Sequence, residues 1–293
     1  MRISTRYQFD TFQSDIRIAQ ERLTKVSQQL ATGKRINDPS DDPVGVGKSI
    51  NMRSLRSSMD QYKANLESAR GDIGYVDTTA GEIGDLMREA YQISVEGASA
   101  ATDQSGRNAM ASRVASLQSR IVDLANTKGP DGNYIFSGQK TTTKPYTLMG
   151  STLQYNGDLN ASYVEVGPGE TTQTNTVTEP IITQIYSRLE SLKNNLQGGQ
   201  VGAISGIDIA AIQDSQSKVL ALRGDVGARL QTIDDLSSQW QRRSDELTIS
   251  ISDVEDVDVS EAAVRYQQAN QAYTAALTVA SQGFRLSLMD FIK

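Results

Sequence analysis

The sequence predicts a mainly α, elongated protein with a small β insertion. Its terminal helices pair as a coiled coil, a bundle of long helices fills the centre, and the insertion forms an outer β-rich domain. Three observations predict this. First, all six prolines lie between Pro39 and Pro180. The proline-free runs 44–129 and 181–293 are therefore where long helices are allowed, because proline removes a backbone donor and clashes with the preceding turn. Second, apolar residues in the helical stretches recur at alternating spacings of three and four, the seam of a packed helix. Third, from Lys128 to about Glu179 that rhythm stops, and turn residues with short β-prone runs take over.

The first seam is Phe9, Phe12, Ile16, Ala19, Leu23, Val26 and Leu30. The polar stretch LATGKRINDPSDDPVGVGKSI, residues 30–50, follows it. A longer seam then runs Met52, Leu55, Met59, Tyr62, Leu66, Ala69, Ile73, Val76, Ala80, Ile83, Met87, Ala90. Gly71, Gly74, Gly81 and Gly84 sit off this seam. Each weakens a helix by about 1 kcal/mol relative to Ala, so tertiary packing must hold this rod. Shorter seams are Met110, Val114, Leu117, Ile121, Leu124 and Ile182, Ile185, Leu189, Leu192, Leu196. From about Ile207 to Ser252 the side Val219, Leu222, Val226, Ile233, Leu236, Trp240, Leu247 is helical, interrupted by Arg229 and Arg243.

In the insertion, Tyr134-Ile135-Phe136 is a β-prone core within KGPDGNYIFSGQ. YTLM, LQY and YVEV read as strands, Asn156-Gly157 as a hairpin-type turn, and the Thr-rich tail TTQTNTVTEP closes the excursion. The last helix follows the acidic knot SDVEDVDVSE, with Asp258 and Glu261 spaced as a capping box. Its stripe is Ala262, Tyr266, Ala269, Tyr273, Ala276, Ala280, with Leu277 and Phe284 beside it. Such an Ala-rich helix buries little and is marginal alone. Residues 1–35 carry seven Lys/Arg against three Asp/Glu, and residues 253–293 carry three against six. Opposite charge on two striped helices predicts that the chain ends pair, completed by neighbouring subunits. The expected division is 1–42 with 254–293 as inner coiled-coil segments, 43–137 and 181–253 as the helical middle, and 138–180 as the β-rich insertion.

Composition excludes several classes of function. A hydrophobic fraction of 38% with 6% aromatics is lean for a compact enzyme and suits narrow helical stripes. The net charge is −6 and no basic run exceeds Lys34-Arg35, so nucleic acid is not an expected partner. With no Cys and no His, the chain lacks thiol and imidazole nucleophiles and zinc ligands. No cofactor and no metal are expected. The opening MRISTRYQFDTF has no apolar h-region, and no apolar run spans a bilayer. A basic amphipathic first helix could lie on a membrane, but Asp10, Asp15 and Glu21 interrupt its basic face, so no membrane partner is expected.

Among chemical candidates, Asp41-Asp42, Asp234-Asp235 and the run Asp253, Glu255, Asp256, Asp258 fit no EF-hand spacing and read as solvated turns and helix starts. GVGKS at 45–49 echoes the end of a phosphate loop, but Asp42 stands where the first Gly is required. An enzyme acting through Asp or Glu of the insertion has no acid pair to support it. The sequence is read as a non-enzyme.

Residues 28–45, QQLATGKRINDPSDDPVG, resemble the N-terminal signature of the bacterial flagellin superfamily, with Ser27, Leu30, Gly33, Arg35, Ile36, Asn37, Asp41 and Asp42 on its motif positions. Within the superfamily, RISTRYQF, Pro43-Val44-Gly45, GNYIFSGQKTTTKPY and the ending Leu286–Ile292 are similar to the hook–filament junction proteins rather than to filament flagellins. The resemblance covers roughly residues 1–145 and 181–293. It implies a structural adaptor of the flagellum, found outside the cell at the hook–filament junction and exported without a cleaved signal peptide. Filament-forming flagellin is the alternative.

The implied partners are further copies of the chain in a ring or helical layer, the other hook–filament junction protein, flagellin, and an export chaperone bound through residues 258–293. The expected assembly interface is Phe9, Phe12, Ile16, Leu23, Val26 and Leu30 on the first helix, and Arg35, Asn37 and Asp42 in the joint after it. On the last helix it is Tyr266, Tyr273, Leu277, Phe284 and Leu288.

Overall fold

The computed structural model describes the backbone of residues 2–291 and the side chains of residue 7 and residues 9–282. The chain is mainly helical with a small antiparallel β insertion. Helix α1 covers Arg2–Thr32, α2 Pro43–Gly97 and α3 Gln104–Ala125. Strands β1 (Tyr146–Met149), β2 (Thr152–Tyr155), β3 (Tyr163–Gly167) and β4 (Glu170–Gln173) follow. Helix α4 is Ile181–Gln197. The turn α5, Val201–Ala203, passes through a π-helical turn, Ile204–Asp208, into α6, Ile209–Glu255. Helix α7, Val259–Phe291, is the last. The chain divides into two compact units: residues 1–58 with 243–293, and residues 59–242.

The second unit holds nearly all of the apolar core. The long seam of α2 is buried at Met59, Leu66, Ala69, Ile73, Val76, Ala80, Ile83, Met87 and Ala90, with Tyr62 half-buried. Helices α3 and α4 bury the predicted Met110, Val114, Leu117, Ile121 and Ile182, Ile185, Leu189, Leu192, Leu196. On α6 the row Ile212, Val219, Val226, Ile233, Trp240 repeats every seven residues and is buried throughout. Arg229, which interrupts the sequence pattern, sits half-buried and pairs with Asp225 at 2.6 Å, so its stem packs while its head stays solvated. Arg223 and Arg70 of the same unit pair with Asp77 at 3.0 Å and Asp234 at 2.8 Å. Arg107 terminates α2 by donating to the carbonyls of Gly97 and Ser99.

The insertion is two separate hairpins, β1–β2 and β3–β4. Two expectations fail here. The β1–β2 turn lies at Gly150-Ser151, where Gly150 takes φ +64°, and Asn156-Gly157 falls after β2. Tyr155 pairs with Tyr146, and the Asn156 amide donates to Thr147, so register was decided by strand pairing rather than by the strongest turn dipeptide. Tyr134-Ile135-Phe136 is not a strand: only an isolated bridge joins Tyr134 to Lys128, and Phe136 is buried. The insertion is tied to its helices by polar contacts. Asn126, capping α3, both donates to and accepts from the Tyr146 backbone, at 3.0 and 2.9 Å. The Trp240 indole donates to the Val166 carbonyl at 2.7 Å while its ring lies 5.5 Å from that of Tyr62.

In the first unit α1 packs along α7. An antiparallel bridge between Lys34 and Asp256 joins the end of α1 to the residues entering α7, so the two helices run in opposite directions. The predicted stripe faces the partner: on α7, Ala262 and Ala280 are buried and Ala269, Tyr273 and Ala276 are half-buried. Asp258 caps α7 as expected, accepting from the Ser260 and Glu261 amides at 2.8 and 3.1 Å, while Glu261 turns to Arg265. Met52 is only half-buried and Leu55 is exposed, so the long seam of α2 is core only from Met59 onward.

Candidate functional site

The joint between α1 and α2 is a dense polar construction, and the residues entering α7 complete it. Helix α1 ends because Gly33 adopts φ +68°, a left-handed conformation that favours glycine and turns the chain off the helix axis. The turned segment then forms a short ladder with the end of α6. Arg35 donates its amide to the Glu255 carbonyl at 2.6 Å, and Val257 donates to Gly33 at 3.0 Å. The Arg35 guanidinium reaches the Val254 carbonyl at 2.6 Å and Asp42 at 3.2 Å. Buried Gln29 donates to the Arg35 carbonyl at 2.8 Å.

Asp41 and Asp42 divide the work of the turn. Asp41 accepts from the backbone amides of Asn37 and Asp38 at 3.0 and 3.1 Å and pairs with Lys25 at 2.7 Å. The Lys25 ammonium, then those two amides, hold the Asp41 carboxyl down at about 2. Asn37 donates its side-chain amide to the Lys34 carbonyl at 3.0 Å. Asp42 caps α2: its carboxylate accepts from the Gly45 amide at 2.9 Å, and Pro43 occupies the first helical position, where no donor is needed. The Gly45 amide, with Arg35 behind it, keeps the Asp42 carboxyl below the usual range. A Cβ on Gly45 would lie 2.5 Å from the Asp42 carboxylate and 2.8 Å from Ile36, so a larger residue there would have to displace the capping side chain.

Glu255 is the centre of the joint. It is buried, with 8% of its surface exposed, and accepts from the Ser49 hydroxyl, from Arg53 at 2.6 Å and from Lys34 at 3.4 Å. Burial alone would raise its carboxyl, but the Ser49 hydrogen bond, Arg53 and Lys34 outweigh it and leave it below the ordinary value. Lys34 also pairs with Asp256 at 2.5 Å, which raises its own ammonium and lowers the Asp256 carboxyl. Charges of both signs are thus matched within one joint. The reading of the acidic knot as solvated turns is corrected at Glu255, whose partners lie about two hundred residues away in sequence.

The arrangement fixes a bend between α1 and α2. Among the described residues no group of three His, Cys, Asp or Glu could hold a metal ion, and no helix is long and apolar enough to cross a membrane.

Residues 3–141 match the family model for the bacterial flagellin N-terminal helical region, which spans this joint. The chain is thus similar, over just under half of its length, to the bacterial flagellins. It is 23% identical to flagellar hook-associated protein 3 of Escherichia coli (strain K12), over 100% of both chains. Polar flagellin F of Vibrio parahaemolyticus is 26% identical, over 41% of this chain and 32% of that protein. In fold the chain is similar to the flagellar junction protein FlgL of Legionella pneumophila, with a TM-score of 0.61 at 14% identity, over 71% of this chain and 99% of the other.

The predicted interface residues whose side chains are described fall into three groups. Phe12, Ile16, Leu23, Val26 and Leu30 are half-buried along α1, and Phe9 is half exposed. On α7, Tyr273 is half-buried while Tyr266 and Leu277 are exposed. Arg35, Asn37 and Asp42 come together in the joint. Phe284 and Leu288 lie outside the residues whose side chains are described. Sequence reasoning missed Lys25, Gln29, Lys34, Ser49, Arg53 and Glu255 as members of the joint. Opposite charge on the two chain ends was the only available signal, and its effect is local. Among the described residues, ion pairs between residues 1–35 and 253–293 occur at Lys34 with Glu255 and Asp256.

Proposed function

We propose that this chain is a non-enzymatic structural adaptor of the bacterial flagellum that joins hook to filament. The observation that carries this reading is the poverty of the first unit's own core. Among the described residues its buried apolar side chains are Ile251, Ala262 and Ala280, yet it leaves Val44, Ile50, Ile249, Val264 and Val279 exposed on long helices. Helices built this way gain their stability from neighbours, so folding of the chain ends is coupled to assembly. The full-length similarity to a hook-associated protein, against a partial one to a flagellin, favours the junction over the filament.

In this reading residues 1–42 and 254–293 form the inner segment of a subunit layer, and the seam of Phe9, Phe12, Ile16, Leu23, Val26 and Leu30 is completed there by other copies. One face of the layer meets the other hook–filament junction protein and the other meets flagellin. Residues 258–293 are the segment an export chaperone would cover.

The test mixes the purified protein with hooks capped by the first junction protein, without flagellin, under the electron microscope. A short layer that stops growing and then accepts flagellin is expected. Long filaments would make the chain a flagellin instead, and absence of any attachment would remove the adaptor reading.

A further inference from the structure

The first unit carries two exposed stripes whose chemistry is complementary. The part of α2 in this unit, residues 43–58, contains Lys48, Arg53 and Arg56 and no acidic residue. Its Ser49 and Arg53 turn to Glu255 within the unit. Val44, Lys48 and Asn51, spaced four and three, share a different face and are exposed, Val44 by 69%. The end of α6 is the reverse: Glu246, Ile249 and Asp253 share one exposed face, with Ile249 exposed by 63%. Lys48, Glu246 and Asp253 make no ion pair among the described residues. One stripe is an apolar side chain beside a free ammonium; the other is an apolar side chain between two free carboxylates.

Resting on the reading of the chain as a self-associating subunit, we propose that a second copy of this chain docks here, the α2 stripe of one copy against the α6 stripe of the next. The spacing supports this pairing in either direction. With Val44 set against Ile249, Lys48 falls beside Asp253 if the helices run parallel and beside Glu246 if they run antiparallel. The contact joins two different patches, so it is heterologous and propagates into a ring or helix instead of closing as a dimer, as a continuous layer requires. Its ionic part is exposed, so it contributes more to encounter and register than to affinity, and it weakens with salt.

The chain has no cysteine, which makes the test specific. Val44→Cys and Ile249→Cys chains are mixed and oxidised, once on capped hooks and once in concentrated solution without hooks. A disulfide heterodimer well in excess of both homodimers is the expected product. Homodimers alone, or only monomer, in layers that microscopy shows to be assembled would overturn the proposal. If no layer forms at all, the adaptor reading fails by itself, and the solution mixture still decides the docking by the same criterion. Lys48→Glu should slow attachment about tenfold at low salt, and adding Glu246→Lys with Asp253→Lys should recover most of that loss. Failure of the combined variant to recover any of it, or wild-type attachment by Lys48→Glu, would also overturn it.

Discussion

The two units are built from the same material, long helices with heptad seams, and bury it differently. In the second unit the seams of α2, α3, α4 and α6 are mostly buried, with Tyr62, Leu124, Leu222 and Leu236 half-buried among them. In the first, the α1 seam is half-buried at best, small alanines line the α7 side, and the best-buried groups include Gln29, Ser49, Ser244 and Glu255. A periodic stripe therefore says which face of a helix is used and not whether the partner lies in the same chain. Where a unit holds its shape by a polar joint and leaves apolar surface open, its apolar partners are best sought in other molecules.

The sharpest way to break this comparison is to truncate matched leucines. Leu192→Ala in α4, fully buried, should destabilise the second unit by about 2–5 kcal/mol and lower its melting temperature in calorimetry. Leu23→Ala in α1, half-buried, should scarcely move that transition while reducing attachment to hooks. Equal melting shifts for the two would mean that the first unit has a full core of its own.

Next in size is Gly45→Ala. The added methyl collides with Asp42 and Ile36, so the α2 cap and the joint must shift. Loss of amide protection at residues 34–46 in hydrogen exchange is expected, with the second unit unchanged. The helix caps come third. Asp103 accepts from the Gly106 amide at 2.7 Å at the start of α3, and Asp103→Ala should lower the stability of the second unit by about 1 kcal/mol. The same change at Asp258 removes an equivalent cap from α7 and should appear only as faster exchange in residues 260–264.

The smallest effect is a pH dependence confined to the first unit. Asp41, Asp256 and Glu255 have folded-state carboxyls below their ordinary values, Asp41 at about 2 against 3.8. A depressed carboxyl stabilises above its unfolded value and loses that contribution as pH falls through the folded one. The joint should therefore keep its full strength at neutral pH and weaken between about pH 4 and pH 2. Amide exchange at Asn37 and Asp38 should accelerate across that window, and Asp41→Asn should abolish the dependence there.

The sequence by itself determined the helical faces, the proline-free spans, the α7 cap at Asp258 and the strands YTLM and YVEV, because each depends on residues close in the chain. It also carried the flagellin signature in residues 27–42, which held the joint's turn and caps: Gly33, Arg35, Asn37, Asp41 and Asp42. Only the tertiary structure decided the rest. Asn156-Gly157 has the dihedral freedom for a hairpin, yet the pairing of Tyr146 with Tyr155 moved the turn to Gly150. Glu255 looked like one solvated acid among four until Ser49, Arg53 and Lys34 were brought to it. Turn preference and charge are local properties; register and burial depend on which distant segments meet, and only packing makes that choice.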